Sequence, residues 1–124
     1  MAYRILIVDD DEDIRLLLRG WLVRDGHQVD EAADGNTGLL AIVGDGHDVA
    51  FVDIGLPGID GYEIARRVRA RGGPRPCLVA LTANTDDPRT AFAAGFDAHV
   101  YKPIEAKTVA AVIDGLPDWR SRSK

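Results

Sequence analysis

Five times along the chain a short apolar run gives way to a longer amphipathic stretch, and no other feature narrows the fold as far. Residues 5–8 form an apolar, β-branched run that stops at acids, the pattern of a buried strand. Residues 11–24 then carry Ile14, Leu17, Leu18, Trp21 and Leu22 at helical spacing, with Gly26 beyond them as a stop. A less apolar strand follows at 28–32, suited to a sheet edge, then a helix at 36–43 carrying Leu39, Leu40 and Val43, then a strand at 49–52 closing on Asp53. Gly55, Leu56, Pro57 and Gly58 make a loop by composition. A basic amphipathic helix at 61–71 turns Ile64, Ala65 and Val68 inward and is broken by Gly72, Gly73 and Pro74. A strand at 77–81 ends at Thr82, an alanine-rich helix at 87–94 ends at Gly95, and a strand at 98–101 ends at Lys102 and Pro103. The last helix, 105–116, has Val109, Val112, Ile113 and Leu116 in register and is closed by Pro117.

Five βα units in series predict an α/β fold in which a parallel sheet is covered by helices on both faces. Right-handed crossovers leave few topologies, and the strand order 2-1-3-4-5 is the expected one. It sets strands 1 and 3 side by side where the order reverses, and ligands of open parallel sheets bind at the strands' carboxyl ends near that point. The 124 residues suffice for one domain and one core. The expected boundaries are a domain over 1–118 and a short polar tail over 119–124.

Composition removes several function classes. A net charge of −5 argues against a general nucleic-acid binder, and the tail residues Arg120, Arg122 and Lys124 are the one cationic run noted. No stretch approaches the roughly 18 apolar residues of a membrane span. No signal-type segment precedes the first strand, and the single Cys77 sits in an apolar run, so a reduced, buried thiol and a cytoplasmic protein are expected. His27 and His47 fall near turns and are expected to be solvated; Trp21 is expected in the core. Trp119 is either an anchor packed back on the domain or the remnant of a linker.

Four strands end in chemically useful residues: Asp9 and Asp10, Asp53, Thr82, and Lys102. Each has an ordinary reading alone, as a helix cap, a turn residue or a solvated charge. Their joint placement on one sheet edge is what those readings leave unexplained. Carboxylates about 4 Å apart repel by roughly 4 kcal/mol at an effective dielectric of 20. Three of them in one cleft call for cations. Lys102 supplies one charge, and a hard divalent ion such as Mg²⁺ fits the rest. A carboxylate is a known phosphoryl acceptor, with Thr82 and Lys102 as donors to the phosphoryl oxygens. The same crowding predicts that Asp10→Asn stabilises the metal-free fold.

The segments 5–10, 53–61, 80–83 and 101–103 closely resemble the receiver domains of two-component response regulators, and the likeness runs from about Arg4 to Leu116. The resemblance implies a single flavodoxin-like (βα)5 domain with Asp53 as phosphoacceptor. It implies Asp9, Asp10, Asp53 and the Gly55 backbone carbonyl as Mg²⁺ ligands, with Asp10 the more direct of the acidic pair. Thr82 becomes the hydroxyl that moves toward the phosphoryl group, Lys102 its ion-pair partner, and the Lys102–Pro103 bond is expected in cis. Gly55 and Asn84 flank the acceptor where the family varies its dephosphorylation rate. His99 departs from the pattern, standing at a switch position usually Tyr or Phe. It is either a tolerated, partly exposed ring or a ring that swings in behind Thr82 with added pH sensitivity. The implied partners are a histidine kinase or histidine phosphotransfer protein, and a downstream protein bound through the face of helix 4, strand 5 and helix 5. Nucleic acid and membrane are not expected partners, and a monomer or weak dimer is expected. The segment around His99 also resembles receivers attached to hybrid sensor kinases.

Three other readings compete. A Mg²⁺-dependent phosphatase would want a second acid two residues after Asp53, where Gly55 stands. A flavodoxin-like cofactor carrier would want a phosphate loop where Asp9, Asp10 and Asp11 would repel one. A purely structural adaptor would leave the acids idle.

Overall fold

The computed structural model describes residues 2–122. Five parallel strands, β1 (Arg4–Val8), β2 (Gln28–Ala32), β3 (Val49–Asp53), β4 (Cys77–Ala83) and β5 (Ala98–Lys102), form one sheet in the order β2-β1-β3-β4-β5. The predicted topology is therefore the observed one. Six helices accompany it among the described residues: α1 (Glu12–Arg24), α2 (Gly35–Gly44), α3 (Gly61–Arg71), α4 (Pro88–Ala94), α5 (Ala106–Asp114) and α6 (Leu116–Arg122).

Alternation along the strands divides the interior into two layers. Ile5, Ile7, Phe51, Val79, Leu81 and Val100 meet Leu18 and Leu22 of α1, Val109 and Ile113 of α5, and Leu116 of α6. Leu6, Val8, Ala50, Val52, Leu78 and Ala80 meet Ile42 of α2, Ile64 and Val68 of α3, and Ala91 and Ala94 of α4. Strand β3 is buried throughout, whereas β2, at the edge, carries the charged residues that keep an open edge from pairing further.

Aspartate opens four of the helices. Asp11, Asp34, Asp60 and Asp87 each take an extended backbone and accept a backbone N–H of the first turn. Asp11 is thus the cap of α1 rather than its first residue.

The structure corrects several expectations. Leu17 and Leu40 are exposed; α2 turns Ile42 inward instead, because the helix packs on the sheet through the 38/42 side. His47 is buried and not solvated: its Nε2 lies 2.7 Å from Asp30 Oδ2, and its Nδ1 has no partner among the described residues. His27 is half-buried, its Nδ1 accepting the Tyr3 N–H at 3.0 Å. Trp21 is partly buried and packs against the core.

Pro117 is not a stop. Helix α5 ends at Asp114, and Pro117 sits in the first turn of α6, where a missing N–H forfeits no intrahelical bond. The expected boundary at 118 therefore falls inside α6. Trp119 is a packed-back anchor, set against the core with the Arg75 guanidinium 5.4 Å from its ring centre. Arg120 pairs with Asp48. Of the expected tail, Ser123 and Lys124 lie outside the described residues.

Cys77 is buried as expected, and burial, reinforced by the Asp97 charge, pushes its thiol up to about 12. Since the thiolate is the reactive form, a disulfide reagent at pH 8 should modify native Cys77 about a thousandfold more slowly than free cysteine. Full reactivity should appear only on unfolding, as read by release of the coloured thiol. Rapid labelling of the native protein would contradict this burial.

Candidate functional site

The site forms at the carboxyl edge of the sheet because β1, β3 and β5 end there on matching residues of the same pleat. Asp9 and Asp53 continue the Ile7 and Phe51 side of their strands, and Lys102 continues the Val100 side. Lys102 Nζ lies 3.4 Å from Asp9 Oδ2 and 3.5 Å from Asp53 Oδ2, bridging the two acids. Carboxylate oxygens of Asp9, Asp10 and Asp53 come within 4.8 Å of one another. Asp9 is fully buried, Asp53 is 8% exposed, and Asp10 faces solvent.

Each group is held from outside. The Asp11 N–H donates to Asp9 Oδ1 at 2.9 Å, and the Gly55 N–H donates to Asp53 Oδ1 at 3.0 Å. Arg15, on α1, donates to the Asp9 carbonyl at 2.8 Å and pins the β1–α1 turn. Sequence reading missed Arg15, which looks there like one more solvated charge on an amphipathic helix. Gly61 was noted only as a helix start. A Cβ there would lie 2.6 Å from the Asp53 carbonyl oxygen and 2.6 Å from Ile54 Cα, so α3 abuts the acceptor strand through this residue. The Lys102–Pro103 bond is cis, as expected.

Electrostatics report a surplus of negative charge. Burial, followed by the charge of Asp53, holds the Asp9 carboxyl above the usual range against the opposing Asp11 N–H and Lys102. Burial works against the Lys102 ammonium, but Asp53 and Asp9 together keep its pKa above the ordinary lysine value. Among the described residues Asp9 Oδ2 meets no well-aligned hydrogen-bond donor; its contact is the Lys102 ammonium at 3.4 Å. A buried carboxylate oxygen without a donor, beside two further carboxylates, fits a hard divalent cation.

The acid whose removal matters most is therefore Asp9 rather than the exposed Asp10. In chelator, Asp9→Asn should stabilise the fold by roughly 1 kcal/mol, since relief of the desolvated charge and of its repulsion with Asp53 outweighs the lost Lys102 ion pair, while the amide keeps an acceptor for the Asp11 N–H. A pKa raised by folding means that ionisation opposes folding above it. The gain should therefore be full above the raised value and fade as pH falls through it toward the ordinary carboxylate range. Mg²⁺ should raise the melting temperature of the wild type and leave that of Asp9→Asn nearly unchanged, by calorimetry with and without chelator.

Thr82 and His99 stand on the other face of the sheet. Thr82 is buried next to Leu81, the register partner of Asp53, and its hydroxyl has no partner among the described residues. His99 pairs with Ala80 and lies outside the acid cluster, edge-on to Phe92 at 5.7 Å and to Tyr101 at 4.8 Å. Asn84 is exposed just beyond β4.

Residues 5–114 match the family described as the response regulator receiver domain. The transcriptional regulatory protein AfsQ1 of Streptomyces coelicolor is 38% identical over 111 residues, covering 88% of this chain and 48% of that protein. The chain thus spans about half the length of the curated relatives it matches. A CheY-like receiver domain from Methanospirillum hungatei superposes over 100% of both chains with a TM-score of 0.88 at 27% identity. The receiver domain of the Pseudomonas aeruginosa sensor histidine kinase PA1611, with magnesium in its active-site cleft, covers 96% of this chain and 98% of its own at a TM-score of 0.82 and 28% identity. With the strand order, the converging acids, the bridging lysine and these likenesses together, the chain belongs to the response regulator receiver domains of two-component signalling.

Proposed function

We propose that Asp53 accepts a phosphoryl group from a phosphohistidine on a histidine kinase or phosphotransfer protein. The observation that carries this reading is Lys102 held within 3.5 Å of both Asp9 and Asp53, with donors on the acceptor from two sides. An Asp53 carboxylate oxygen attacks phosphorus in line, the P–N bond breaks, and the donor imidazole leaves with the bonding pair. Gly55 N–H and Lys102 orient the carboxylate beforehand, and Lys102 then faces the new phosphoryl oxygens. We assign Mg²⁺ to Asp9, Asp10, Asp53 and the Gly55 carbonyl; bound there it offsets charge on the transferring group.

The unpartnered Thr82 hydroxyl is a donor in waiting. Phosphorylation adds roughly −1.5 to −2 charges at Asp53, on the adjacent strand. His99 and Tyr101 share its side of the sheet, and with Phe92 of α4 they make the partly exposed aromatic cluster that we read as the start of the downstream surface, continued by α5. A partner preferring one arrangement of this surface would convert phosphorylation into binding. The phosphoryl group would be lost by hydrolysis within the same site, the domain being a signalling device rather than an enzyme with its own substrate. A reduced thiol and a kinase partner suit the cytoplasm.

Incubation with Mg²⁺ and a small phosphodonor should introduce one acid-labile phosphate, mapped by peptide mass to the segment holding Asp53. Label on any other residue, or none from either a phosphodonor or a kinase, would defeat the assignment.

A further inference from the structure

At the amino edge of the sheet, a strand length (about 20 Å) from the acceptor site, the structure gathers positive charge that the phosphorelay reading leaves unused. Residues 61–76 carry Arg66, Arg67, Arg69, Arg71 and Arg75 against the single acid Glu63, in a chain of net charge −5. Glu63 takes Arg66 at 3.1 Å and Arg67 at 2.8 Å. Arg69 and Arg75 instead line an open cleft of about 420 Å³ together with Gly72, Gly73 and Arg122 of α6.

Among the described residues one acid, Asp97, lines the cleft, and that acid is already matched. Its two oxygens accept Arg75 Nη1 at 2.6 Å and Nη2 at 3.0 Å, and Oδ2 also accepts the Leu78 N–H at 2.8 Å. Arg69 stands 3.8 Å from it and donates to the Gly95 carbonyl. Arg122 has no ion pair among the described residues. Two guanidinium charges are therefore left over.

Arg75 is positioned before any ligand arrives. Asp97, the Pro76 carbonyl and the Trp119 ring fix it, and these bonds leave its Nε–H and one Nη2–H without a protein acceptor among the described residues. That side-on edge matches two oxygens of a tetrahedral anion. Gly72 and Gly73 both have left-handed φ, 71° and 79°, with open space where a Cβ would stand, so an anion can approach the main chain.

We propose that this cleft binds the phosphate group of a small molecule, as the dianion that two uncompensated guanidiniums would balance. Occupancy joins α6 to the α3–β4 loop. The site needs neither Asp53 nor a divalent ion, so it stands or falls apart from the phosphorelay reading.

Nitrogen-15 NMR of the full chain in chelator, titrated separately with inorganic phosphate and with adenosine monophosphate, tests it. Saturable shifts of the Gly72, Gly73, Arg75 and Arg122 amides are expected. Equal response to both probes assigns recognition to the phosphate alone; a tighter response to the nucleotide adds its base or sugar. Arg69→Gln and Arg122→Gln, both exposed and able to fold, should each weaken binding about tenfold, and Asp53 phosphorylation should be unchanged in either. Shifts that fail to saturate, that chloride reproduces, or that persist unweakened in the double variant would overturn the site.

Discussion

Asp53→Asn will lose phosphoryl uptake by more than about a thousandfold while keeping its fold, the scale expected when a reacting nucleophile is removed from an otherwise intact site. The amide is isosteric and its oxygen can still accept the Gly55 N–H, so the β3 end keeps its geometry. It lacks the charge that attacks phosphorus, and it relieves repulsion with the buried Asp9 carboxylate. A melting temperature equal to or above that of the wild type in chelator should accompany the loss. Labelled phosphodonor counts and calorimetry on one preparation check both halves. A variant that takes up phosphate at the wild-type rate would mean that the acceptor lies elsewhere. One that is inactive because it is unfolded would mean that Asp53 holds the sheet edge together.

Gly61→Ala should lower stability by roughly 1–3 kcal/mol, or about 5–15 °C in Tm, and slow phosphorylation as well. The added methyl would meet main-chain atoms, the Asp53 carbonyl oxygen and Ile54 Cα, and not the pliant end of a side chain. Helix α3 would have to move off the end of β3, carrying with it the Gly61 N–H that donates to the Ile54 carbonyl at 3.3 Å. Gly20→Ala, in the exposed middle of α1 where a Cβ meets nothing within 4 Å, should act in the opposite sense. It should stabilise by roughly 0.5–1 kcal/mol, the helix-propensity difference between the two residues. Urea denaturation of both variants reads the two signs side by side. The same sign for both would show that the contact at Gly61 is soft.

Much of this was legible before any coordinates. Buried parallel strands read as unbroken apolar runs, so β1, β3 and β4 declare themselves in sequence, while the half-buried edge strand β5 is marked by its end at Lys102 and Pro103; Asp9, Asp53 and Lys102 at these strand ends later face the site. The errors share a cause. Leu17, Leu40 and His47 were placed by local pattern, but which side of a helix meets the sheet depends on the helix's angle and neighbours, and burial of a loop histidine depends on Asp30 arriving from another strand. Pro117 looks like a terminator in sequence because a proline after an apolar stretch ends one helix and opens another with the same local pattern, and here a new helix begins one residue earlier.

The sequence by itself determined the α/β class and which residues stand at the strand ends, and with the family resemblance it singled out the strand order among the few that handed crossovers allow, because periodicity and crossover handedness are properties of consecutive residues. Tertiary structure alone decided that Asp9 and not Asp10 bears the desolvation, that Lys102 bridges two acids, that the Thr82 hydroxyl finds no partner among the described residues, and that arginines from α3 and α6 share one cleft. Those facts depend on how much water and which distant charges surround each group, and that is settled only when separate segments pack against one another.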